Sequence, residues 1–239
     1  KGYAAYDFQG VFQSLFSFAT TDLSAFYFDI RKDALYCDPA DGALRQSCLT
    51  VMDAVFHRLT LWLAPILPFT MEDVWLSRFP DGAGSDHAAP DHAAPDHAGS
   101  VHLQDFVNTP ANWLDADLAA RSLMVRAVRR VVTGALEVER RAKTIGASLE
   151  AAPVVHLSPD LARIVTNPET FATLCITSSL TLTTDPAPEG AFTMEDVPGV
   201  AVVFAHAEGE KCQRCWKILP DVGTHAHPAT CKRCSDALG

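Results

Sequence analysis

Long apolar runs are missing from this sequence. No stretch of about 18 consecutive apolar residues occurs, the length that a membrane-spanning helix needs, so no contact with a membrane is expected. The first ten residues contain neither Met nor the apolar segment of a signal peptide. We therefore expect Lys1 to lie inside a longer protein.

Familiar catalytic signatures are also absent. The sequence contains no GxGxxG, GxxxxGK[ST], HExxH or GxSxG motif. These motifs mark dinucleotide sites, phosphate-binding loops, zinc proteases and serine hydrolases. None of those active sites is predicted within these residues.

Positive charge is scarce, and cysteine is unevenly distributed. Nineteen Lys and Arg stand against 29 Asp and Glu, a formal net charge of −10, which disfavours non-specific nucleic-acid binding but leaves room for a local basic track. Of seven cysteines, Cys37, Cys48 and Cys175 are scattered and four lie within 212–234. This pattern favours a cytosolic metal site over a secreted disulfide framework.

Residues 4–79 are predicted to form a helical bundle. Phe8, Phe12 and Phe16 share one helix face with two aliphatic residues, and Thr21 or Asp22 could cap a second helix. The apolar positions from Leu44 to Leu63 predict a long helix whose buried stripe consists of Cys48, Val51, Met52, Val55, Leu59 and Leu63.

A fourth helix is predicted after Pro68. Thr70 and Asp73 have the spacing of a capping box, and Phe69 could pack on Val74 as a hydrophobic staple. Residues 80–100 then carry a repeated DHAAP motif without apolar bulk, which predicts a disordered insertion. His87, His92 and His97 in the repeat are not expected to bind a metal specifically.

Residues 115–143 give the strongest helix pattern in the sequence, with one apolar stripe. From 121 to 143 seven basic residues stand against two acidic ones. They form either a solvated face with i,i+4 ion pairs or a track for a phosphate backbone; the pattern alone leaves both open. Gly146 is predicted to end the helix.

The segments that follow predict a small α/β domain. Residues 153–157, 174–182 and 199–206 are β-branched and bounded by turn residues, as strands are. Between them lie two short predicted helices, which Ser158 and Asn167 cap, each with Pro at the first helical position.

Two Cys-x-x-Cys pairs predict a metal site. Cys212, Cys215, Cys231 and Cys234 are separated by a 15-residue loop, and such pairs suit tetrahedral zinc in a closed structural site. Trp216 and Ser235 occupy the positions where rubredoxin-like iron sites usually have Gly, which favours zinc over iron. His225 and His227 are interpreted as loop residues.

Basic residues and one aromatic flank these cysteines: Lys211, Arg214, Trp216, Lys217, Lys232 and Arg233. Trp216 could stack on an unpaired base while its cationic neighbours contact phosphates. It could equally shield the metal site while the cations offset the thiolates. The pattern does not separate these two interpretations.

Four stretches carry a family resemblance: DLSAFYFDIRKDALYCD (22–38), LAPILPFTMEDVW (63–75), KTIGASLEA (143–151) and AEGEKCQRCWKILPDVGTHAHPATCKRC (207–234). Together they resemble the C-terminal part of bacterial isoleucyl-tRNA synthetases, class I enzymes. The resemblance implies a mainly α fold in three parts. These are a helical anticodon-binding bundle (1–113), a long basic helix with a small α/β junction domain (114–209), and a zinc ribbon with four cysteine ligands (210–239).

The resemblance also implies site residues and partners. The four cysteines match the family's zinc ligands, and Trp216 matches an aromatic that contacts the anticodon loop. Arg214 and Lys217, Arg31 and Lys32 in the bundle, and Arg129 and Arg130 on the basic helix are further candidate tRNA contacts. The partner is then the anticodon stem-loop of tRNA(Ile), and the protein is expected to be a cytoplasmic monomer.

The family's catalytic signatures are absent here. Neither a HIGH-type nor a KMSKS-type motif occurs, so ATP binding, attachment of isoleucine and editing of mischarged valine are expected in N-terminal domains outside this chain, and the fragment alone is predicted to be inactive. Two alternatives are the zinc finger of a DNA-repair glycosylase and a stand-alone zinc-ribbon adaptor. The helical region 4–79 fits neither well.

Overall fold

The computed structural model describes residues 1–80 and 99–239. They form two compact units, Lys1–Leu35 with Ala40–Trp113, and Tyr36–Pro39 with Leu114–Gly239. Most of the predicted insertion, including its three histidines, lies outside the described residues. Among the described residues, no helix is both long and apolar enough to cross a membrane.

After a short 3-10 helix (Tyr3–Ala5), the first unit continues in unbroken helical turns. Helix α1 (Phe8–Ser17) leads into a π-helix (Phe18–Phe28) and then into α2 (Asp29–Cys37). The backbone keeps helical torsion angles at Ser17 and Asp29, so the predicted new start at Thr21 or Asp22 is wrong. The helix continues there without a break, because its turns widen from the α to the π form.

Helices α3 (Ala43–Leu63) and α4 (Pro68–Arg78) enclose the core of the first unit. Trp75 at its centre is fully buried and donates its indole N–H to the carbonyl of Gly99 (3.1 Å). Other members of this core are Leu61, Ala64, Met71, Phe79 and Val101.

The predicted stripe of α3 is confirmed at Cys48, which is buried, and is out of phase further along, where Met52, Val55, Leu59 and Leu63 are only half-buried. Val51 is 42% exposed, whereas Arg58 is buried. The Arg58 guanidinium donates to the carbonyls of Ala54 (3.0 Å) and Asn108 (2.9 Å) and lies 4.6 Å from the centre of the Trp113 ring. A cation with this many partners can be buried, which a search for apolar periodicity does not detect.

The predicted capping box of α4 is also wrong. The helix begins one turn earlier, with Leu67 at the N-cap and Pro68 at the first helical position, where its missing N–H costs nothing. Phe69 is 86% exposed and so does not act as a staple. Glu72 instead accepts hydrogen bonds from the Ser100 hydroxyl and the Val101 amide (2.9 and 2.8 Å).

The second unit is organised by α5 (Ala116–Arg141), the predicted long helix. Asp115 caps it by accepting from the Leu118 amide at 2.8 Å. Its end is a Schellman motif around Lys143, whose φ is +62°, with hydrogen bonds from Lys143 N to Arg140 O and from Thr144 N to Glu139 O. Gly146, the predicted stop, lies beyond this motif.

Helix α5 packs on a three-stranded sheet with the order β2–β1–β3. Strands β1 (Val154–Leu157) and β2 (Thr181–Thr183) are parallel, and β3 (Val200–Val203) pairs antiparallel with β1. The buried valines of α5 meet those of the sheet in the core of this unit.

Two short helices, α6 (Pro159–Ala162) and α7 (Pro168–Cys175), complete the junction. Asn167 caps α7 as predicted, accepting from the Thr170 amide at 2.8 Å, whereas Ser158 is the N-cap of α6 without a side-chain bond. The predicted strand over 174–182 is wrong in its first half, because Leu174 and Cys175 end α7 and Ile176 adopts φ +59°.

The last part of the second unit is a small ribbon. Strands β4 (Glu210–Lys211) and β5 (Ile218–Leu219) pair antiparallel, and α8 (Lys232–Asp236) follows. Gly209 enters the ribbon at φ +113°, where a Cβ would lie 2.3 Å from the backbone of Leu219. The mainly α fold with a small mixed sheet and a cysteine ribbon is confirmed; the separation of the ribbon at residue 210 stays a prediction.

Candidate metal centre and nucleic-acid surface

The four predicted metal ligands come together in the ribbon. The Sγ atoms of Cys212, Cys215, Cys231 and Cys234 lie within 4.8 Å of one another, and all four residues are buried. The distance from Cys215 Sγ to Cys231 Sγ is 3.8 Å, close to the edge of a tetrahedron that has metal–sulfur bonds of about 2.3 Å. The donor set and its spacing therefore suit a closed zinc site.

Each Cys-x-x-Cys pair forms a tight knuckle with the same first hydrogen bond. The Trp216 amide donates to the Cys212 carbonyl, and the Ser235 amide donates to the Cys231 carbonyl, both at 2.9 Å. In the first knuckle the Cys212 amide also donates to the carbonyl of Lys217 at 2.8 Å, at the end of the β4–β5 ribbon. Each knuckle forms between residues that are close in sequence. The spacing of the four cysteines was therefore sufficient to predict that they come together.

Burial opposes ionisation of most of these thiols, so four thiolates need compensating positive charge. Burial raises the pKa of the Cys215 thiol far above its usual range and raises that of Cys234 to about 11. Burial acts in the same direction on Cys212, but backbone N–H groups, first that of Cys215, outweigh it and lower the pKa of Cys212 to about 6. The backbone thus stabilises one thiolate, and four thiolates need a cation among them.

The two histidines of the loop lie apart from the sulfur cluster. His225 Nε2 lies 2.9 Å from Asp221 Oδ2, and His227 Nε2 lies 3.3 Å from the Gly239 carbonyl. Asp221 also accepts from the Lys232 amide at 2.8 Å. These bonds lower the pKa of Asp221, the Lys232 amide most strongly. Asp221 thus supports the second knuckle, a role that the sequence did not indicate.

Trp216 occupies an unusual backbone position beside the metal site. Its φ is +66°, in the left-handed region that non-glycine residues rarely adopt, and the residue is 62% exposed. The Lys211 ammonium lies 5.5 Å from the ring centre. The ring of Trp216 is thus accessible to a stacking partner; its contact with nucleic acid stays a prediction.

Arg214 and Lys217 flank Trp216 in sequence but differ in their surroundings. The Arg214 guanidinium donates to the carbonyl oxygens of Tyr36 and Cys37. Lys217 is half-buried and lines a cavity of about 490 Å³ together with Thr173 and Arg233. Whether either residue contacts nucleic acid stays a prediction.

The two candidates in the first unit, Arg31 and Lys32, lie side by side on α2. The Arg31 guanidinium carbon lies 5.9 Å from the centre of the Tyr27 ring, and its half-buried side chain has a buried Nε without a hydrogen-bond acceptor. The exposed Lys32 ammonium forms an ion pair with Asp29 at 2.9 Å. Their contact with tRNA stays a prediction.

Four arginines of the basic helix α5 have partners within the protein. The Arg129 Nε donates to the carbonyl of Leu174, and the exposed Arg130 pairs with Asp196 at 2.6 Å. Near the end of the helix, Arg140 and Arg141 both pair with Glu137 (2.8 and 3.4 Å). Intramolecular pairing therefore accounts for much of the apparent track.

Comparison with known families is decisive for the first two thirds of the chain. A family model described as the anticodon-binding domain of tRNA ligase matches residues 1–155. The chain belongs to this anticodon-binding family of tRNA ligases. The helical unit and about the first third of the second unit both fall within the match.

A second family model covers the ribbon of this anticodon-binding chain. It is described as a zinc finger found in FPG and IleRS and matches residues 209–237, which include all four clustered cysteines. The zinc-finger match and the buried sulfur cluster thus agree on the metal-binding character of the ribbon.

Curated relatives confirm the resemblance that the sequence motifs suggested. The isoleucine–tRNA ligase of Ruegeria pomeroyi is 57% identical over 239 residues, covering 100% of this chain and 23% of the relative. Those of Brucella abortus and Agrobacterium fabrum are 49% and 47% identical over 223 residues, 93% of this chain and 21% of each relative. The chain therefore spans less than a quarter of the length of these relatives.

Proposed function

We propose that this chain is the tRNA-binding end of an isoleucine–tRNA ligase. The whole protein would attach isoleucine to tRNA(Ile) with ATP and edit mischarged valine, in catalytic and editing domains outside this chain. The observation that carries the proposal is the combination of an anticodon-binding family match with relatives that are isoleucine–tRNA ligases. We further propose that the protein acts as a monomer.

The four cysteines would hold one structural zinc ion. Zinc supplies a fixed centre with four thiolate bonds, and such a closed site leaves no position for a reacting water. Cys212 and Cys215 then fix the first knuckle, and Cys231 and Cys234 fix the second. The protein's contribution is a rigid edge on which the side chain after Cys215 is displayed.

Trp216 would stack on an unpaired base of the anticodon loop. Its exposed ring has an accessible face, and its position is set by a knuckle of only six residues. Stacking of a base on an aromatic side chain contributes about 1–3 kcal/mol to binding. The Lys211 ammonium near the ring supplies positive charge for an adjacent phosphate.

The remaining predicted tRNA contacts fall into two groups. Lys217, Arg31, Lys32 and Arg130 are partly or fully exposed at the surfaces of their own units and would contact the RNA backbone. Arg129 and Arg214 donate to backbone carbonyl groups of the protein, which supports a mainly structural contribution from both.

Binding selectivity tests the proposal. The complete protein is titrated with tRNA(Ile), a second tRNA and a duplex DNA that contains a damaged base, each at the same stated salt concentration. We expect tRNA(Ile) to bind most tightly and Trp216→Ala to weaken this binding while zinc content stays the same. Equal affinity for both tRNAs would contradict the proposed specificity.

The second candidate function is damaged-DNA binding by the zinc finger. It is favoured by the description of the ribbon family, which names FPG beside IleRS. The match of residues 1–155 to an anticodon-binding domain counts against it. Selective binding of the damaged duplex in the same titration would favour this candidate and overturn the first.

A further inference from the structure

The segment Tyr36–Pro39 belongs to the second unit, although it follows the bundle sequence directly. Cys37 in this segment is buried in one cluster with the four sulfur ligands. Its thiol lies 3.7 Å from the carbonyl oxygen of Arg214. A segment 177 residues away in sequence therefore contacts the first knuckle.

Arg214 binds this segment through two separate donors. Its Nη1 donates to the carbonyl of Cys37 and its Nη2 donates to that of Tyr36, the latter at 3.1 Å. Both carbonyls stand in the last turn of α2 (Asp29–Cys37), where backbone acceptors lack partners within the helix and a cation is favourable. The planar fork of Arg can reach two acceptors at once, which a Lys ammonium does with less precise geometry.

The second knuckle contacts the same segment. Arg233 Nη1 donates to Asp38 Oδ1 at 3.3 Å, and the Asp38 side chain is only 15% exposed. Arg214 and Arg233 occupy equivalent positions, each directly before the second Cys of its pair, in CQRC and CKRC. One arginine from each knuckle therefore holds the 36–39 segment.

Trp216 lies two residues after Arg214 in the same knuckle. Its backbone conformation is strained and its ring is exposed, so few contacts of its own fix the direction of the ring. The direction depends on how the knuckle is held. Arg214 ties the knuckle to the 36–39 segment through its guanidinium, in addition to the bond from the Gln213 amide to the Ala229 carbonyl (2.9 Å).

We propose that Arg214 and Arg233 are positioning residues that orient Trp216 through the 36–39 segment, and that Arg214 does not act as a phosphate contact. The effect of the two arginines on tRNA binding rests on the proposed function, whereas their effect on the orientation of Trp216 does not. The inference replaces the simplest interpretation of Arg beside an aromatic, in which both side chains contact the nucleic acid directly.

Two substitutions separate the two roles of Arg214. Arg214→Lys keeps the charge and loses the fork, whereas Arg214→Met removes both. Arg163→Met is the matched control, because Arg163 is an exposed arginine of the same unit that pairs with Asp160. All variants are made in the complete protein, and zinc content is measured first; retention of zinc in Arg214→Lys keeps the comparison valid if Arg214→Met fails to fold.

The orientation of Trp216 is measured without tRNA. The protein contains four tryptophans, and fluorotryptophan labelling gives each a ¹⁹F resonance, that of Trp216 being assigned with Trp216→Phe. We expect the Trp216 resonance to shift or broaden in Arg214→Lys and in Arg233→Gln, while the other three stay unchanged. An unchanged Trp216 resonance in both variants would overturn the proposal.

Salt dependence then distinguishes positioning from phosphate contact. If Arg214 positions Trp216, Arg214→Lys weakens tRNA binding roughly tenfold, within the range of a lost stacking contact. The slope of log K against log salt then stays the same in Arg214→Met as well as in Arg214→Lys, because no phosphate contact is lost. The opposite result would be that Arg214→Lys binds tRNA as tightly as the unsubstituted protein and that only Arg214→Met lowers the salt slope, by about 0.7–1. This result would show a phosphate contact and overturn the inference.

A double-mutant cycle closes the test. If Arg214 acts through Trp216, adding Arg214→Lys to Trp216→Ala weakens tRNA binding no further, whereas independent contacts give additive losses. If Trp216→Ala alone has no effect on tRNA binding, the proposed anticodon contact fails. The fluorine measurement still decides whether Arg214 orients Trp216.

Discussion

The Lys211 ammonium lies 5.5 Å from the ring centre of Trp216, at the point where strand β4 enters the first metal-binding knuckle. The two residues are thus a cation and an exposed aromatic on one edge of the ribbon. Trp216 holds this place at φ +66°, which costs an L-amino acid roughly 1–2 kcal/mol. The strain persists because the knuckle's hydrogen bonds fix the backbone.

Substitution of Trp216 by Gly and by Ala separates this strain from binding. Neither variant has a ring, so both should lose the stacking contact and bind tRNA about 5- to 150-fold more weakly. Only Gly relieves the left-handed strain, so Trp216→Gly should be about 1 kcal/mol more stable than Trp216→Ala. Chemical denaturation of the zinc-bound protein measures the difference. Equal stability would show that the backbone leaves this conformation in the Ala variant.

The metal site could be predicted because its geometry is local. Two short knuckles close through hydrogen bonds within six residues, and a loop joins them. The partner of Arg214 could not be predicted in this way, because Tyr36 lies 178 residues away. A basic residue beside an aromatic therefore gave no indication that carbonyl groups would bind its guanidinium.

The helices show the same difference between features set by local sequence and features set by distant residues. Helix α5 was predictable from one stripe of apolar residues, and its end was not, since Lys143 takes the left-handed position that usually selects Gly. The burial of α3 beyond Cys48 was predicted in the wrong phase because Arg58 is buried with backbone acceptors from residues 50 positions later. Local pattern predicts the elements, and distant polar partners decide which face is buried.

Removal of zinc should unfold the ribbon and leave the rest helical. Zinc ligation in small domains contributes about 10–16 kcal/mol, far more than the short strands β4 and β5 could gain by themselves. Chelation or Cys231→Ser should increase hydrogen exchange over 210–219, while helical circular dichroism from α5 and the first unit remains. Cys175→Ala, the control for loss of a buried thiol outside the cluster, should retain zinc. Loss of all helical signal on chelation would contradict this modular behaviour.

The neighbouring residues Arg129 and Arg130 should respond differently to substitution by Met. Arg129 donates to the Leu174 carbonyl at the end of α7, so its loss should destabilise the protein by about 1–2 kcal/mol. Arg130 forms an exposed ion pair with Asp196, worth less than about 1 kcal/mol. If Arg130 contacts a phosphate, Arg130→Met should lower the salt slope of tRNA binding by about 0.7–1. A larger loss of stability in Arg130→Met, together with a smaller salt slope in Arg129→Met, would contradict these separate roles.

The thiol of Cys175 should be protected by the fold. Burial raises its pKa to about 12, against the opposing effect of Arg129. In the unfolded chain the pKa is about 8.5, so the native state binds the proton more tightly. The stability from this group is therefore fully present below about pH 8.5 and is lost as the pH rises towards 12.

At about pH 8, below the ordinary thiol pKa, we therefore expect Cys175 to react with a thiol reagent only through unfolding, because the reacting thiolate is almost absent in the native state. Mass spectrometry of the labelled peptide gives the rate, and addition of denaturant should raise it in parallel with the unfolded fraction. Arg129→Met should speed the labelling only as far as it lowers stability. Rapid labelling of Cys175 without denaturant would show that the end of α7 opens locally and is not held by the core of the second unit.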